Sequence, residues 1–200
     1  MKLLIIRHGE SEADLLNVHE GRADFDLTER GHRQAKTLAD RIASEYEFTK
    51  IYCSTLKRAY QTALHISEKT GITLIPEDNL MEFNNGLIAG LERDIAANKY
   101  PKIPNLPIHK SVYNQESVLD FRFRADYILS KIISENSADS TVLIVTHGGM
   151  INQLYHSFLR LPIGSDLSFC TGDTGIHEWI LNNDSRRIVF ANSIKHTKGI

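Results

Sequence analysis

The stretch Thr141-Val142-Leu143-Ile144-Val145-Thr146-His147-Gly148-Gly149 decides the fold of this chain. Its four central residues are all aliphatic, and no polar residue alternates with them. Such a run predicts a strand over 141–146 that is covered on both faces, as in the centre of a parallel sheet. A helix is predicted directly after it, over 150–159. A second apolar run, Leu3–Ile6, ends at Arg7 and predicts another buried strand.

Helical patterns alternate with these strands along the chain. Thr28 is a suitable N-cap for a helix over 29–44 that has one apolar stripe. Ser117, with Asp120 three residues later, forms a capping-box pattern at the start of a long helix. The other predicted elements are strands over 51–54 and 72–75, a helix over 56–70 that ends at Gly71, and a terminal hairpin of strands 176–181 and 187–191 joined through 182–185.

This alternation predicts an α/β fold, a three-layer α/β/α sandwich with a mostly parallel central sheet. We expect residues 1–200 to form a single domain. The region of about 87–116 contains three prolines and has weak periodicity, so we interpret it as a small lid insertion over the core. On the helices, the predicted buried faces include Leu64 and Val118.

Composition excludes several classes of protein. Of the 200 residues, 42% are hydrophobic and 24% charged, with a net charge of -2, so nucleic acid is not an expected partner. The sequence has no apolar segment long enough to span a membrane, and we expect a cytoplasmic protein. Cys53 and Cys170 lack metal-site spacing and are predicted to be reduced, buried thiols.

Basic residues follow the predicted strands at the edge of the sheet where ligands bind in α/β proteins. Arg7 and His8 follow the first strand, His147 follows the central strand, and Arg58 lies just after the second. Buried arginine and histidine are costly without an anionic partner, and no carboxylate is placed beside all four. A phosphate group matches the planar guanidinium fork. The helix that begins after Gly148 would add backbone N–H groups to the same place.

These motifs resemble the histidine phosphatase superfamily, or phosphoglycerate mutase-like family. The resemblance covers most of the chain, in the expected order. Its motifs are Arg7-His8-Gly9-Glu10-Ser11, the stretch from Gly21 through Asp24 and Leu27-Thr28-Glu29 to Gly31, the arginine helix from Ser54 through Arg58 to Ala63, Glu82 with Gly86 and Gly90, Glu116-Ser117 with Arg124, and His147-Gly148-Gly149.

The resemblance implies a role for each matched residue. His8 would attack phosphorus and become phosphohistidine. Arg7, Arg58 and His147 would bind the phosphoryl oxygens. Glu82 would act as acid and then base, although without the resemblance it fits a solvated loop glutamate better. The guanidinium and imidazole groups supply the positive charge, so we expect neither a metal nor a cofactor.

Three departures from the family pattern lie where selectivity is expected. The chain has Ala13-Asp14 where the family usually has Trp-Asn, Val18 and Glu20 where many members have Arg and Gln, and Ile88-Ala89-Gly90 where many phosphatases have Trp-Glu-Gly. An acidic Asp14 would repel substrate charge or require a donor group on the substrate. We predict that Asp14, Gly21 and Gly148 contact substrate, whose identity these departures leave open.

Three functions remain to be separated. The favoured one is a phosphatase that hydrolyses a small phosphorylated metabolite. Mutases of the family that this chain resembles have a longer, more basic insertion that retains the bisphosphorylated intermediate, whereas the segment 91–115 here is short and has few basic residues. The second is a cofactor-dependent phosphoglycerate mutase. The third is a module that binds phosphorylated ligands or inorganic phosphate without turnover. The terminal hairpin and the sheet edge leave both a homodimer and a capped monomer open.

Overall fold

The computed structural model describes residues 1–183 and 185–200, so Asp184 of the predicted hairpin loop lies outside the described residues. Within them, six strands form one sheet in the order β3-β2-β4-β1-β5-β6. The strands are β1 (Lys2–Arg7), β2 (Lys50–Cys53), β3 (Leu74–Pro76), β4 (Thr141–Thr146), β5 (Ile176–Leu181) and β6 (Arg186–Ser193). The first four are mutually parallel where they pair, and β5 and β6 are antiparallel to their neighbours.

Helices cover both faces of this sheet. They are α1 (Glu12–Leu16), α2 (Glu29–Glu45), α3 (Lys57–Thr70), α4 (Arg93–Lys99), α5 (Val118–Ser134) and α6 (Gly148–Phe158), with 3-10 turns at Asp78–Leu80, Gly86–Ile88 and Lys195–Thr197. Helices α5 and α6 pack on one face of β1 and β4, and α2 and α3 pack on the other. The predicted three-layer fold is therefore confirmed. No helix within the described ranges is long and apolar enough to cross a lipid bilayer.

The predicted caps fix where the long helices begin and end. The hydroxyl of Thr28 accepts a hydrogen bond from the amide of Gly31 at 2.9 Å, which starts α2. Ser117 and Asp120 form the expected capping box of α5. Gly71 ends α3 at φ +74°, a conformation that only glycine adopts without strain.

Several local predictions were wrong. Leu64 and Val118 are 38% and 46% exposed, because Leu64 lies on the face of α3 opposite its buried residues and Val118 is the first residue of α5. Cys170 is exposed, since it lies in the loop before β5, whereas Cys53 is buried at the end of β2. Helices α1 and α4 were not predicted, because five and seven residues are too few for a periodic pattern. Helix α4 lies within the lid segment, residues 87–116, whose role as an insertion stays a prediction.

Candidate active site

Sheet order brings the basic residues together. Strands β1 and β4 are adjacent and in register, with Arg7 opposite Thr146, so the residues that follow them are neighbours in space. The imidazole rings of His8 and His147 have centroids 5.1 Å apart. Strand β2 pairs with the other side of β4, and the turn after it places Arg58 in the first turn of α3 beside His8. The predicted convergence at one edge of the sheet is present.

His8 is held as a neutral imidazole with one defined tautomer. Its Nδ1 lies 2.7 Å from the carbonyl oxygen of Gly9, so Nδ1–H donates there and Nε2 carries the lone pair. Arg58 Nε–H donates to that Nε2 at 3.3 Å. Burial, followed by the charges of Arg58 and Arg7, holds the pKa of His8 well below its usual range. A neutral, oriented Nε2 is what a nucleophilic histidine requires.

Arg58 is fully buried, and each of its nitrogen atoms has a partner. Its Nη1 donates to the carbonyl of Ala23 at 3.0 Å and its Nη2 to the carbonyl of Gly21 at 2.9 Å. Its Nε lies between His8 and a carboxylate oxygen of Glu20, 3.5 Å away. The structure thus places a carboxylate beside two of the basic groups, His8 and Arg58. The only signal in the sequence was that Glu20 departs from the family pattern.

The other two basic groups each have a buried nitrogen to spare. His147 Nε2 is 2.7 Å from the hydroxyl of Ser54, whereas its Nδ1 has no partner among the described residues. Arg7 donates through Nη1 to the carbonyl of Thr171 and pairs with Asp173 at 3.4 Å, but its buried Nε has no partner there either. Burial, then the charge of Arg58, lowers the pKa of His147 well below the usual range. Two unpartnered buried nitrogens beside His8 favour an anionic ligand.

Glu82 is fixed at the start of α6. Its two carboxylate oxygens accept hydrogen bonds from the amides of Gly149 and Phe83, each at 2.8 Å. Arg124 stabilises the loop that contains Glu82, because its Nη2 donates to the carbonyl of Glu82 at 3.1 Å and to the carboxylate of Glu116 at 2.7 Å. The amide of Gly149, which was expected to point at the anion, is therefore committed to Glu82.

Comparison of the sequence with known protein families agrees with the geometry of this site. A model of the histidine phosphatase superfamily (branch 1) matches residues 3–194. The chain belongs to this superfamily. The predicted family and fold class are confirmed, and the buried histidine pair lies in the two motifs that suggested the family from the sequence.

Histidine phosphatases and mutases are both among the similar proteins. The chain is 31% identical over 173 residues to phosphoserine phosphatase 1 of Hydrogenobacter thermophilus, covering 84% of this chain and 81% of that one. It is 34% identical over 162 residues to the 2,3-bisphosphoglycerate-dependent phosphoglycerate mutase of Bartonella quintana, with 76% and 78% covered. The structure of the α-ribazole phosphatase from Shigella flexneri matches with a TM-score of 0.88 at 25% identity over 97% of both chains.

In this histidine phosphatase, a cleft of about 410 Å³ borders the basic cluster. Arg7, Glu82, Asp14 and Gly21 are among the residues that line it. Asp14 is partly committed elsewhere, because its Oδ2 accepts a hydrogen bond from the amide of Ser11 at 2.9 Å and thereby caps α1. Contacts of Asp14 and Gly21 with substrate therefore stay predictions.

The glycines of the site allow close approaches. Gly21 has φ +48° and touches the side chain of Asn85, so a larger residue would be excluded there. Gly148 begins α6, and a Cβ built on it would lie 3.9 Å from Arg7 Nε. This places Gly148 beside one of the two unpartnered nitrogens, and its contact with substrate stays a prediction.

A larger cavity of about 600 Å³ lies under the lid segment. It shares three lining residues with the cleft, His19, Ile88 and Gln115, and therefore adjoins it. Its other walls are mostly apolar and include Tyr100 and Tyr113, whose rings lie 5.1 Å apart. The cleft at the basic cluster thus lies next to a cavity that is lined mostly by residues of the lid segment.

Proposed function

We propose that this histidine phosphatase is a phosphomonoesterase that works through a phosphohistidine at His8. The predicted enzyme class is confirmed by the family match and by the phosphatases among its relatives. One observation supports the assignment of the site above all. The buried Arg7 Nε and His147 Nδ1 have no partner among the described residues, the ring of His147 lies 5.1 Å from that of His8, and Arg58 Nε–H donates to His8 Nε2. A phosphoryl group seated there would receive hydrogen bonds from three side chains while facing the nucleophile.

In the first step, His8 Nε2 attacks phosphorus and the bond from phosphorus to the ester oxygen breaks. Arg7, Arg58 and His147 stabilise the charge on the three equatorial oxygens. The hydrogen bond from His8 Nδ1 to the carbonyl of Gly9 supports the positive charge that develops on the ring. The product of this step is a phosphohistidine and a leaving alkoxide.

Glu82 handles the protons in both steps. In its protonated form it donates a proton to the leaving alkoxide, which departs as the alcohol. The carboxylate then takes a proton from water as the water oxygen attacks phosphorus and the bond to His8 Nε2 breaks. Phosphate and neutral His8 result. A positioned acid–base group of this kind contributes roughly a hundred- to ten-thousand-fold in rate.

We propose that the substrate is a small phosphorylated metabolite, such as those named for the phosphatases that this chain resembles. The cleft beside Glu82 is the direction in which the alcohol departs, and it adjoins the cavity lined by the lid segment. Asp14 and Glu20 line the cleft, so a leaving group that carries further negative charge is disfavoured there.

A phosphoglycerate mutase is the second candidate, because the Bartonella quintana relative carries that name. A mutase must retain a doubly phosphorylated intermediate, and we expect it to need more basic groups in the cleft than this chain offers. Besides Arg7, the cleft lining has His19 and Arg93. A coupled assay with 3-phosphoglycerate, with and without 2,3-bisphosphoglycerate, separates the two activities.

The proposal is tested with purified wild-type protein and His8→Ala, assayed with 4-nitrophenyl phosphate and a panel of phosphorylated metabolites in the presence of EDTA. We expect wild-type turnover and rapid-quench labelling that yields an acid-labile phosphoprotein, and neither with the variant. Full activity in His8→Ala would refute the nucleophile assignment. Phosphate binding without labelling would identify a binding module instead.

A further inference from the structure

Glu20 occupies space that the phosphoryl group needs. Its Oε2 lies 3.8 Å from His8 Nε2, and its Oε1 lies 3.5 Å from Arg58 Nε. The hydroxyl of Ser11 donates a hydrogen bond to the same carboxylate, whose side chain is only 18% exposed. A phosphorus atom about to be attacked lies roughly 3–3.5 Å from the nucleophilic nitrogen. The phosphoryl oxygens would therefore overlap the Glu20 carboxylate in its present position.

Arg58 can reach a phosphate only where Glu20 now lies. Its two terminal nitrogens are bound to the backbone carbonyls of Ala23 and Gly21, and its Nε faces His8 and Glu20. Freeing a terminal nitrogen would require the chain of the loop at 21–23 to move. Releasing Glu20 requires the rotation of one side chain in the wall of the cleft and the loss of its hydrogen bond from Ser11. The less costly exchange is phosphate for the Glu20 carboxylate.

We propose that Glu20 determines the affinity of the site for phosphate, as a resident counter-ion of Arg58 that each phosphoryl group displaces and that returns as phosphate departs. This inference rests on the proposed function, because it takes the basic cluster to be the phosphate site. It concerns how tightly that site holds an anion, the product phosphate included.

The electrostatics of the two states explain the effect. Before substrate binds, the Glu20 carboxylate offsets the cost of burying the Arg58 guanidinium. When a phosphate binds, Glu20 gives up its attraction to Arg58 and becomes a second negative charge near the anion. Both changes weaken phosphate binding, and both are reversed when phosphate departs. A neutral side chain of the same shape at this position would have neither the attraction to Arg58 nor the repulsion of the bound anion.

The test is Glu20→Gln, which keeps the shape of the side chain and removes its charge. Inorganic phosphate is titrated into the protein by isothermal titration calorimetry at pH 7.5 and constant ionic strength, a measurement that needs no turnover. We expect Glu20→Gln to lower the Kd for phosphate on the order of tenfold or more. The control is Glu12→Gln, which removes the same charge from an exposed residue of α1 and leaves the Kd unchanged.

A loss of structure does not tighten binding, so the expected direction separates this role from a merely structural one. An unchanged or raised Kd in a Glu20→Gln protein with wild-type thermal unfolding would overturn the inference. If that variant does not fold, a crystal structure of the wild type with inorganic phosphate is the test. We expect Glu20 to have moved away from Arg58 in that structure. A bound phosphate with Glu20 still 3.5 Å from Arg58 Nε would contradict the inference. Tighter phosphate binding in a protein without phosphatase activity would support this inference while refuting the proposed function.

Discussion

Gly149→Ala tests whether Glu82 is the acid–base group without removing Glu82 itself. A Cβ at position 149 would lie 3.0 Å from Glu82 Cδ and 3.1 Å from Oε2, and closer still to Oε1. Carbon atoms of this kind rarely approach below about 3.4 Å, so the carboxylate has to move by a few tenths of an ångström or more. The shift also loosens the 2.8 Å hydrogen bond that the Gly149 amide donates to it.

The expected size of the effect depends on the leaving group. A misplacement of about 1 Å costs on the order of a hundredfold in rate, and we expect a loss of about tenfold to a hundredfold with phenyl phosphate in kcat/KM, which reports the first step only. The loss should be much smaller with 2,4-dinitrophenyl phosphate, because that phenolate departs without a proton from Glu82. Steady-state kinetics with both esters gives the ratio directly.

Gly164→Ala is the matched control, because a Cβ there meets no atom within 4 Å. It should keep wild-type kinetics with both esters. The double variant with Glu82→Gln should be no slower than Glu82→Gln alone, since both changes act on one group. Equal losses on the two esters, or full additivity in the double variant, would refute the assignment of Glu82.

Two predictions concern pH. The pKa of His8 is held low by burial and by Arg58 and Arg7, so 15N NMR should show its neutral, Nδ1-protonated ring at pH 6; a doubly protonated ring there would contradict the assigned tautomer. Burial lowers the pKa of His177 from 6.5 to about 4, and this shift corresponds to about 3 kcal/mol in the free energy of unfolding. Because only the unfolded state takes up this proton between those pH values, the free energy of unfolding should fall from pH 6.5 to 4, and less so in His177→Gln, as urea titrations will show.

The fold could be predicted because its signals are local and repeated. The aliphatic run of β4 matched its strand residue for residue, and Thr28 and Ser117 marked the starts of α2 and α5. Parallel strand order then determined that His8 and His147 meet, since both follow neighbouring strands. Distances and tautomers could not follow from this, because they depend on contacts such as His8 Nδ1 with the carbonyl of Gly9.

The partners of the basic residues were the part that sequence could not supply. Ser54 was recognised only as the first residue of the arginine-helix motif, and nothing in the spacing of that motif indicated a hydrogen bond to His147. The approach of the Glu82 carboxylate to Gly149 likewise joins residues 67 positions apart. Side-chain contacts of this kind depend on how loops pack over the sheet, and loop geometry has no periodic pattern in the sequence from which it could be predicted.

Two carboxylates replace the expected side chains near the nucleophile, and the structure gives them different environments. Asp14 caps α1 by accepting a hydrogen bond from the amide of Ser11, so one of its carboxylate oxygens already has a partner. Glu20 instead faces Arg58 and His8 directly. A mutase must keep phosphorylated intermediates bound long enough to turn them over, and a carboxylate that competes for Arg58 shortens that time. The same carboxylate suits a phosphatase, whose product has to leave before His8 can react again.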